Sequence, residues 1–391
     1  MKIKIDRHSL LSQLAHISKA IPIKTPLSIL TGIKFVVKEE GLYLTSSDSD
    51  ITINTFLPLE IEDRQVIAIE EIGSIIIPGK YFIEIIRKLS ADMIEISTFE
   101  DNSILIKGAR GEYTLNGFDA SLYPNIELIK NDHHFHIETP VLKTIIRQTA
   151  FSAATNESRP ALTGVNFRYD EGSLECTATD SFRLSRKIIP LTKTLKPFNI
   201  IIPSRSLSEL SKILDDSHQS VTVYLSNNQI LFQTGGKNPN TAEKEKHQSY
   251  LAFQSRLLDG IFPDLADVIP STFGIKIKAN YQELYQAFDR AALIDSNIVK
   301  LNILPEEKKI FIKAHLPEIG KIEEDIGIEL LEGSELRIAC SAVFMIDALK
   351  SINNPSADIT LGFNGEMKPF ILQEVNDETM IQLIVPVNIP E

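Results

Sequence analysis

Cysteine is nearly absent from this chain. Cys176 and Cys340 are the only two among 391 residues. They lie far apart in the sequence, and their spacing matches no disulfide or metal-binding motif. Each lies in an apolar run typical of a strand. We therefore interpret them as small buried hydrophobic residues and expect neither a disulfide nor a metal site.

Long hydrophobic runs are also missing, which excludes a transmembrane helix of ordinary length. At the amino terminus, the segment 1–6 (MKIKID) alternates charged and apolar residues and does not resemble a signal peptide. A hydrophobic content of 43% with 24% charged residues is typical of a well-packed globular protein. We expect a cytoplasmic protein with no membrane partner.

The chain has no basic surplus, because its formal net charge is −12. This argues against a simple nucleic-acid coat, which would need a broadly basic surface to displace the counterions of the phosphates. It does not exclude a protein whose faces carry charge of opposite sign.

Catalytic motifs are missing as well: we find no Gly-x-Gly-x-x-Gly motif, no phosphate loop and no nucleophile at a diagnostic distance from a base. His134 and His136 would share one face of a strand and could suit a transition metal, but no cysteine or carboxylate pattern completes a site, and a solvated connector is the favoured interpretation. Asp48 and Asp50 form an Asp-x-Asp pair that could bind a cation. A second copy of this segment in the same chain keeps the first aspartate, as Asp180, but has Phe182 in place of the second, which favours a turn stabilised by the first aspartate side chain. We predict that the chain is not an enzyme.

The chain contains an internal repeat of domain length. Residues 30–59, beginning LTGIKF, recur without a gap at residues 162–191, beginning LTGVNF, so that Thr45 matches Thr177 and Asp48 matches Asp180, 132 positions apart in each case. A repeat unit of about 130 residues is long enough to fold as a domain with its own core. A third, more divergent copy is recognised by its order of elements, and we place the domains at residues 1–129, 130–271 and 272–391, with a polar surface loop inserted at about 235–246 in the second.

Each repeat reads as helix, strands, helix, strands. Apolar residues at helical spacing mark the first helix of each copy (Leu10, Leu14 and Ile17; Leu142, Ile145 and Ile146; Leu284, Phe288 and Ala291). Short connections predict antiparallel pairing of the strands, which gives an α+β fold with two helices laid on sheet in each copy.

Basic residues recur on or beside the six predicted helices, and much of the acidic surplus lies elsewhere, for example at residues 60–63 and 323–325. The recurrence favours a common basic surface. Its members are Lys19, Lys24, Lys80, Arg87, Lys88, Lys143, Arg147, Arg205, Lys212, Arg290 and Lys350.

Three such modules resemble the beta subunit of bacterial DNA polymerase III, the sliding clamp. The most specific matches are the segment 179–184 (TDSFRL), similar to a family signature, and the segments 260–264 (GIFPD) and 384–387 (IVPV). The resemblance covers essentially the whole chain. It implies three tandem copies of the DNA clamp fold, and a head-to-tail homodimer that closes a six-domain ring.

The resemblance also implies the function and the site. The ring would encircle double-stranded DNA without sequence preference, act as a processivity factor in DNA replication and repair, and need no cofactor or metal. A pocket between domains 2 and 3 would bind peptide motifs of DNA polymerase and clamp-loader subunits. The family's pocket residues correspond to Leu162, Thr179, Ser181, Phe182, Arg183, Leu184, Pro263, Val268, Met367, Val385, Pro386 and Val387.

Two further groups follow from the resemblance. DNA contacts correspond to Lys24, Lys80, Asn156 and Arg205, and the dimer interface to Tyr113, Leu293 and Ile294. The sequence departs from the family pattern in having Phe182 for a His or Tyr, Asp267 for an Arg, Ser341 for an Asn and Asn388 for an Arg. These departures would suit a divergent or accessory clamp with altered partners.

Two other functions stay open at this point. One is a scaffold that keeps the fold but no longer encircles DNA. The other is an enzyme that uses His134 and His136 with a metal.

Overall fold

The computed structural model describes residues 1–156, 158–215, 219–235 and 249–388. Its contacts divide the chain into two units, Met1–Leu142 with Glu209–Leu257, and Lys143–Ser208 with Leu258–Glu391. The proposed insertion lies outside the described residues, apart from Gly235.

The first repeat contains two helices and eleven strands. They are β1 (Lys2–Asp6), α1 (Arg7–Ile17), β2 (Gly32–Lys38), β3 (Gly41–Ser47), β4 (Ile51–Pro58), β5 (Glu60–Ile61), β6 (Arg64–Gln65), β7 (Ile67–Glu71), β8 (Gly73–Pro78), α2 (Gly79–Lys88), β9 (Met93–Thr98), β10 (Ser103–Gly108) and β11 (Gly111–Asn116).

The second and third repeats follow the same order in their described parts. The second comprises β12 (His134–Glu138), α3 (Thr139–Thr149), β13 (Gly164–Asp170), β14 (Ser173–Thr179), β15 (Arg183–Pro190), β16 (Phe198–Pro203), α4 (Ser204–Ile213), β17 (Ser220–Leu225), β18 (Gln229–Gly235) and β19 (Tyr250–Arg256). The third comprises β20 (Ile275–Asn280), α5 (Tyr281–Ala291), β21 (Val299–Leu304), β22 (Lys309–Leu316), β23 (Gly320–Glu332), β24 (Leu336–Cys340), α6 (Ala342–Ile352), β25 (Asp358–Phe363), β26 (Phe370–Glu374) and β27 (Met380–Ile384).

The predicted helices are confirmed, but each repeat opens with a strand that the prediction missed. The strands β1, β12 and β20 precede the first helix of their repeats. The charged and apolar alternation at residues 1–6 belongs to β1, in which Ile3 and Ile5 are fully buried. His134 and His136 occupy the outward positions of β12, while Phe135 between them is buried.

In the first unit, strands from two repeats join in one antiparallel sheet. Its order is β12-β17-β18-β19-β4-β3-β2-β8. The junction is the pairing of β4 with β19, in which Phe56 lies opposite Tyr250 and Ile53 opposite Phe253. A second sheet of this unit has the order β11-β10-β9-β1-β7, so β11 is an edge strand.

The second unit repeats this arrangement one module later. Its sheet has the order β16-β13-β14-β15-β27-β26-β25-β20-β23-β22-β21-β24. Here β15 pairs with β27, with Arg183 opposite Ile384 and Leu184 opposite Leu383. Lys187 strengthens this junction through a 2.9 Å ion pair with Asp377.

The cores lie between the helices and the sheets. In the first repeat, Phe82 of α2 meets Phe35 of β2 edge to face, and both are fully buried. Both cysteines are free, and both are buried as predicted; burial raises the pKa of the Cys340 thiol to about 12. Among the helices that the structure describes, none combines the length and the apolar character of a membrane span.

Candidate functional site

The tight turn between β14 and β15 organises the candidate pocket. The Asp180 Oδ1 atom accepts hydrogen bonds from the backbone N–H groups of Phe182 at 2.9 Å and Arg183 at 3.0 Å. Ser181 has a φ of +79°, a conformation in which a residue with a Cβ is strained. Asp48 forms the same turn in the first repeat, with bonds of 3.1 and 2.8 Å. The predicted turn role is confirmed for Asp48 and for its repeat-equivalent Asp180.

The turn exposes the Phe182 side chain and buries that of Thr179. Phe182 is 63% exposed. Thr179 is buried; its hydroxyl donates to the Arg183 carbonyl oxygen at 2.6 Å and accepts from the Ser181 N–H at 3.1 Å. The geometry therefore presents an aromatic ring to solvent on a rigid support.

Arg183 is held from several sides. Its Nε donates to Asp180 Oδ2 at 3.0 Å, one Nη to Asp347 Oδ2 at 2.7 Å, and the other Nη to the Phe151 carbonyl oxygen at 2.9 Å. The guanidinium also lies 5.3 Å from the ring centroid of Phe151 and 4.6 Å from that of Phe344. Because Asp347 lies on α6 of the third repeat, Arg183 ties the second repeat to the third.

An apolar floor lies beside this turn. Leu184, Ile371 and Leu383 form a buried cluster. Partly buried side chains cover it, namely Leu265, Ile269, Phe273, Ile381 and Val385. The floor therefore draws on both sides of the β15–β27 junction, and strand pairing sets its shape.

The carboxyl-terminal segment is attached to the same site. The Val385 N–H donates to the Phe182 carbonyl oxygen at 2.9 Å, and the Val387 N–H to that of Ala339 at 2.8 Å. Pro386 between them is buried. The segment 385–387 thus continues from β27 as a wall beside the turn.

The remaining predicted pocket residues lie at different depths. Leu162 is buried in the 3₁₀ turn Pro160–Thr163 and is not part of the floor cluster. Pro263 is exposed, and Val268 is 41% exposed in a segment whose neighbours Leu265 and Ile269 cover the floor. Met367 is exposed in the turn before β26, the strand that carries Ile371.

Four residues of the candidate pocket were not predicted from the sequence. Asp347, Phe151 and Phe344 surround Arg183, and Ile371 completes the floor. No local pattern marks the first three, because their role depends on contacts across more than 30 and up to 164 sequence positions. Ile371 follows Phe370 in a short apolar run that identifies a buried strand and nothing more specific.

Among the residues that depart from the family pattern, Ser341 has a clear structural role. Ser341 caps α6 by accepting a 3.4 Å hydrogen bond from the Phe344 N–H, as an asparagine would. Asp267 is exposed in the short 3₁₀ turn Ala266–Val268, and Asn388 is exposed. Asp267 therefore places a negative charge on the approach to the floor.

The predicted DNA contacts are all exposed. In the first unit, Lys80 lies in the first turn of α2, and Lys24 lies between α1 and β2. In the second unit, Arg205 lies in the first turn of α4, and the Asn156 Oδ1 accepts a 2.9 Å hydrogen bond from the Ser158 N–H.

Several of the helix cations form contacts within the chain. Arg87 pairs with Glu84, Lys212 with Glu209 and Arg290 with Glu324. The Arg147 Nε donates to the Ser351 carbonyl oxygen at 3.0 Å. The common basic surface expected from the sequence is therefore weaker than a count of lysines and arginines suggests.

The predicted interface residues differ in exposure. Tyr113 on β11 is 42% exposed, and Leu293, just after α5, is 77% exposed. Ile294 is only partly buried and packs against the core of the third repeat. Leu293 is thus available to a partner, whereas Ile294 also supports its own domain.

The two histidines considered for a metal have other neighbours. His134 Nδ1 lies 3.0 Å from the Asn131 carbonyl oxygen, and His136 Nδ1 lies 3.0 Å from the Thr222 hydroxyl. Within the described ranges, no group of three His, Cys, Asp or Glu residues is placed to hold a metal ion.

Comparison with known proteins assigns all three repeats. The N-terminal, central and C-terminal domains of the DNA polymerase III beta subunit match residues 1–127, 136–264 and 266–388. The beta sliding clamp of Bacillus subtilis (strain 168) is 40% identical over 392 residues, covering 99% of each chain. That of Staphylococcus aureus (strain Mu50 / ATCC 700699) is 36% identical over 391 residues, again covering 99% of each.

Solved structures agree. The crystal structure of the DNA polymerase sliding clamp from Bacillus subtilis has a TM-score of 0.91 at 39% identity and covers 100% of both chains. The DNA polymerase III beta chain from Streptococcus pneumoniae TIGR4 has a TM-score of 0.89 at 34% identity, covering 99% of this chain and 100% of the other. The fold is therefore three tandem copies of the clamp domain, and the chain belongs to the DNA polymerase III beta subunit family, the sliding clamps that serve as DNA polymerase processivity factors.

Proposed function

We propose that two copies of this chain close head to tail into a ring that encircles duplex DNA and tethers polymerase and clamp-loader subunits through the pocket at the β15–β27 junction. The single observation that carries the proposal is the pattern of strand pairing between successive repeats. This pattern leaves one strand of the first repeat and one strand of the third repeat available for pairing with a second chain.

The rule is visible at two junctions. In each, the third strand after the first helix of one repeat pairs with the last strand of the next repeat: β4 with β19, and β15 with β27. Both pairings are antiparallel. In the third repeat the corresponding third strand is β23, and the corresponding last strand of the first repeat is β11.

Both of these strands have a free edge among the residues that the structure describes. β11 pairs only with β10. β23 pairs with β22 over residues 320–327 and with β20 over residues 328–332, so the first half of β23 has one strand neighbour only. A second copy of the chain can supply β11 to this edge, and the reciprocal pairing closes the ring.

Leu293 supports the same junction. It lies twelve positions after the first residue of α5, and Phe151 lies twelve positions after the first residue of α3. Phe151 contacts Arg183 at the junction of the second and third repeats. By the same rule, the exposed Leu293 belongs at the junction with a second chain, beside Tyr113 of β11.

Within such a ring the DNA contacts would be weak and mobile. Lys24, Lys80, Asn156 and Arg205 are exposed and can reach phosphates without reading bases. An overall charge of −12 discourages DNA from binding elsewhere on the protein. Retention would then come from topology, and the ring could slide in the cytoplasm, where we place it.

The partners would bind by peptide capture, and the chain would contribute binding without catalysis. The apolar floor of Leu184, Ile371 and Leu383 suits an aliphatic or aromatic anchor, with Phe182 as an exposed aromatic wall. We further propose domain boundaries at 129/130 and 271/272; the family matches to residues 1–127, 136–264 and 266–388 support three domains in this order. Asp267 should disfavour acidic residues flanking the anchor, and Asp267→Arg should remove this penalty.

The test combines mass and topology. Light scattering should give twice the chain mass of 43.8 kDa. Protein loaded on nicked circular DNA by a clamp loader should stay bound and should be released once the circle is cut. A monomer at micromolar concentration, or equal retention on circular and linear DNA, would refute the ring and favour a scaffold.

A further inference from the structure

We propose that the junction of the first and second repeats holds a second peptide site, which takes an aliphatic residue together with a single carboxylate. The site is a cavity of about 630 Å³, all within the first unit, which we call the first-junction cavity. The inference uses the proposed peptide pocket as its template and goes beyond it. Its lining is Leu27, Leu30, Ser47, Ser49, Asp50, Thr52, Pro124, Asn125, Ile126, Glu127, Gln229, Gln254, Ser255 and Arg256.

The cavity is the repeat-equivalent of the pocket at the β15–β27 junction. The 132-residue offset places five of its residues on pocket positions: Leu30 on Leu162, Ser47 on Thr179, Ser49 on Ser181, Asp50 on Phe182 and Thr52 on Leu184. On the partner strand, Thr52 lies opposite Gln254 just as Leu184 lies opposite Leu383. Two residues further along, Arg256 takes the place of Val385.

The backbone frame is kept as well. Ser49 has a φ of +84°, close to the +79° of Ser181. The Arg256 N–H donates to the Asp50 carbonyl oxygen at 2.9 Å, as the Val385 N–H does to that of Phe182. A volume of this size is in the ordinary range for ligand pockets.

The chemistry of the floor is different. Thr52 and Gln254 are buried where the other pocket has two leucines. The Gln254 Oε1 accepts from the Ile129 N–H at 2.9 Å, and its Nε2 donates to the Glu127 carbonyl oxygen at 3.2 Å. These hydrogen bonds hold the segment between β11 and β12, together with the apolar cluster in which Tyr123 and Ile126 pack with Leu30. The floor is therefore more polar at Thr52 and Gln254 than the matching positions of the other pocket.

The rim identifies the occupant. Arg256 is exposed, and its guanidinium forms no ion pair with any residue in the described part of the chain. Leu27, 52% exposed, adds an apolar surface beside the buried Leu30. An extended peptide with an aliphatic side chain against Leu27 and a carboxylate on Arg256 fits both features. The carboxylates of Asp50 and Glu127 on the same rim oppose a second negative charge.

A defined probe tests this site. The probe is a fluorescent peptide, acetyl-Gly-Leu-Ser-Asp-Gly-amide, compared with the same peptide carrying Asn for Asp, and anisotropy is measured with the full chain. We expect saturable binding of the Asp peptide and a loss of about fivefold or more in affinity for the Asn peptide or for Arg256→Glu. Leu27→Ser should weaken both peptides and provides a second variant if Arg256→Glu folds poorly.

Val268→Glu is the matched control, because Val268 is exposed beside the other pocket. It should leave the affinity of the Asp peptide unchanged. No saturable binding, or equal affinities of the wild type, Arg256→Glu and Leu27→Ser, would overturn the proposal. Loss of binding in Val268→Glu alone would assign the peptide to the pocket at the β15–β27 junction, so that this inference fails while the proposed function stands.

Discussion

Replacing Arg183 with methionine should weaken the junction between the second and third repeats. Methionine keeps most of the apolar stem and removes the guanidinium. Three hydrogen bonds are lost, to Asp180, Asp347 and the Phe151 carbonyl oxygen, together with stacking on two aromatic rings. Both carboxylates stay behind without their common partner.

The magnitude follows from burial. The Arg183 side chain is 13% exposed and that of Asp180 16%, whereas Asp347 is 33% exposed and retains more water. Removing one member of a buried ion pair costs about 3 to 5 kcal/mol, and partial exposure of Asp347 places this case nearer 2 to 4 kcal/mol. The turn that presents Phe182 should loosen as well, because Asp180 would lose one of its restraints.

Urea denaturation monitored by circular dichroism, at a fixed protein concentration, measures the loss in the free energy of unfolding. Arg87→Met is the matched control: Arg87 pairs with Glu84 on an exposed helix face, so its loss should cost less than about 1 kcal/mol. A double-mutant cycle with Asp347→Asn should show coupling between the two positions. A cost for Arg183→Met no greater than that of the control, with additive effects in the cycle, would contradict the assigned role of Arg183.

Three further outcomes are expected. Leu293→Asp should convert the proposed dimer to a monomer without unfolding it, because the side chain is 77% exposed within one chain, and light scattering measures the mass. Burial raises the pKa of both the Cys176 and Cys340 thiols, so neither should react with a thiol reagent at pH 8 until urea is added. Burial alone would raise the pKa of Asp377, but hydrogen bonds from Thr379 and Lys187 outweigh it and leave that pKa below its usual value. The resulting stability is complete above the unfolded-state pKa of about 3.9 and is lost as pH falls through the lower folded-state pKa, so Asp377→Asn should flatten the acid limb of the urea midpoint.

Local features of this protein are readable from its residues alone. The helices follow from apolar spacing, since Leu10, Leu14 and Ile17 line one face of α1. The turns follow from Asp48 and Asp180, whose carboxylates reach backbone N–H groups two and three positions ahead. Each of these helices and turns is determined by residues that lie close together in the sequence.

The junctions and the partners of Arg183 depend on residues far apart in the chain. β4 pairs with β19, and β15 with β27, through registers that no local pattern states, because a strand's alternation shows which face is buried but not which strand lies beside it. The same holds for Gln254 beneath the first-junction cavity. The sequence alone identifies Gln254 only as a polar residue of a strand. Its amide contacts the Glu127 carbonyl oxygen, in the segment between β11 and β12, and no local pattern indicates this contact.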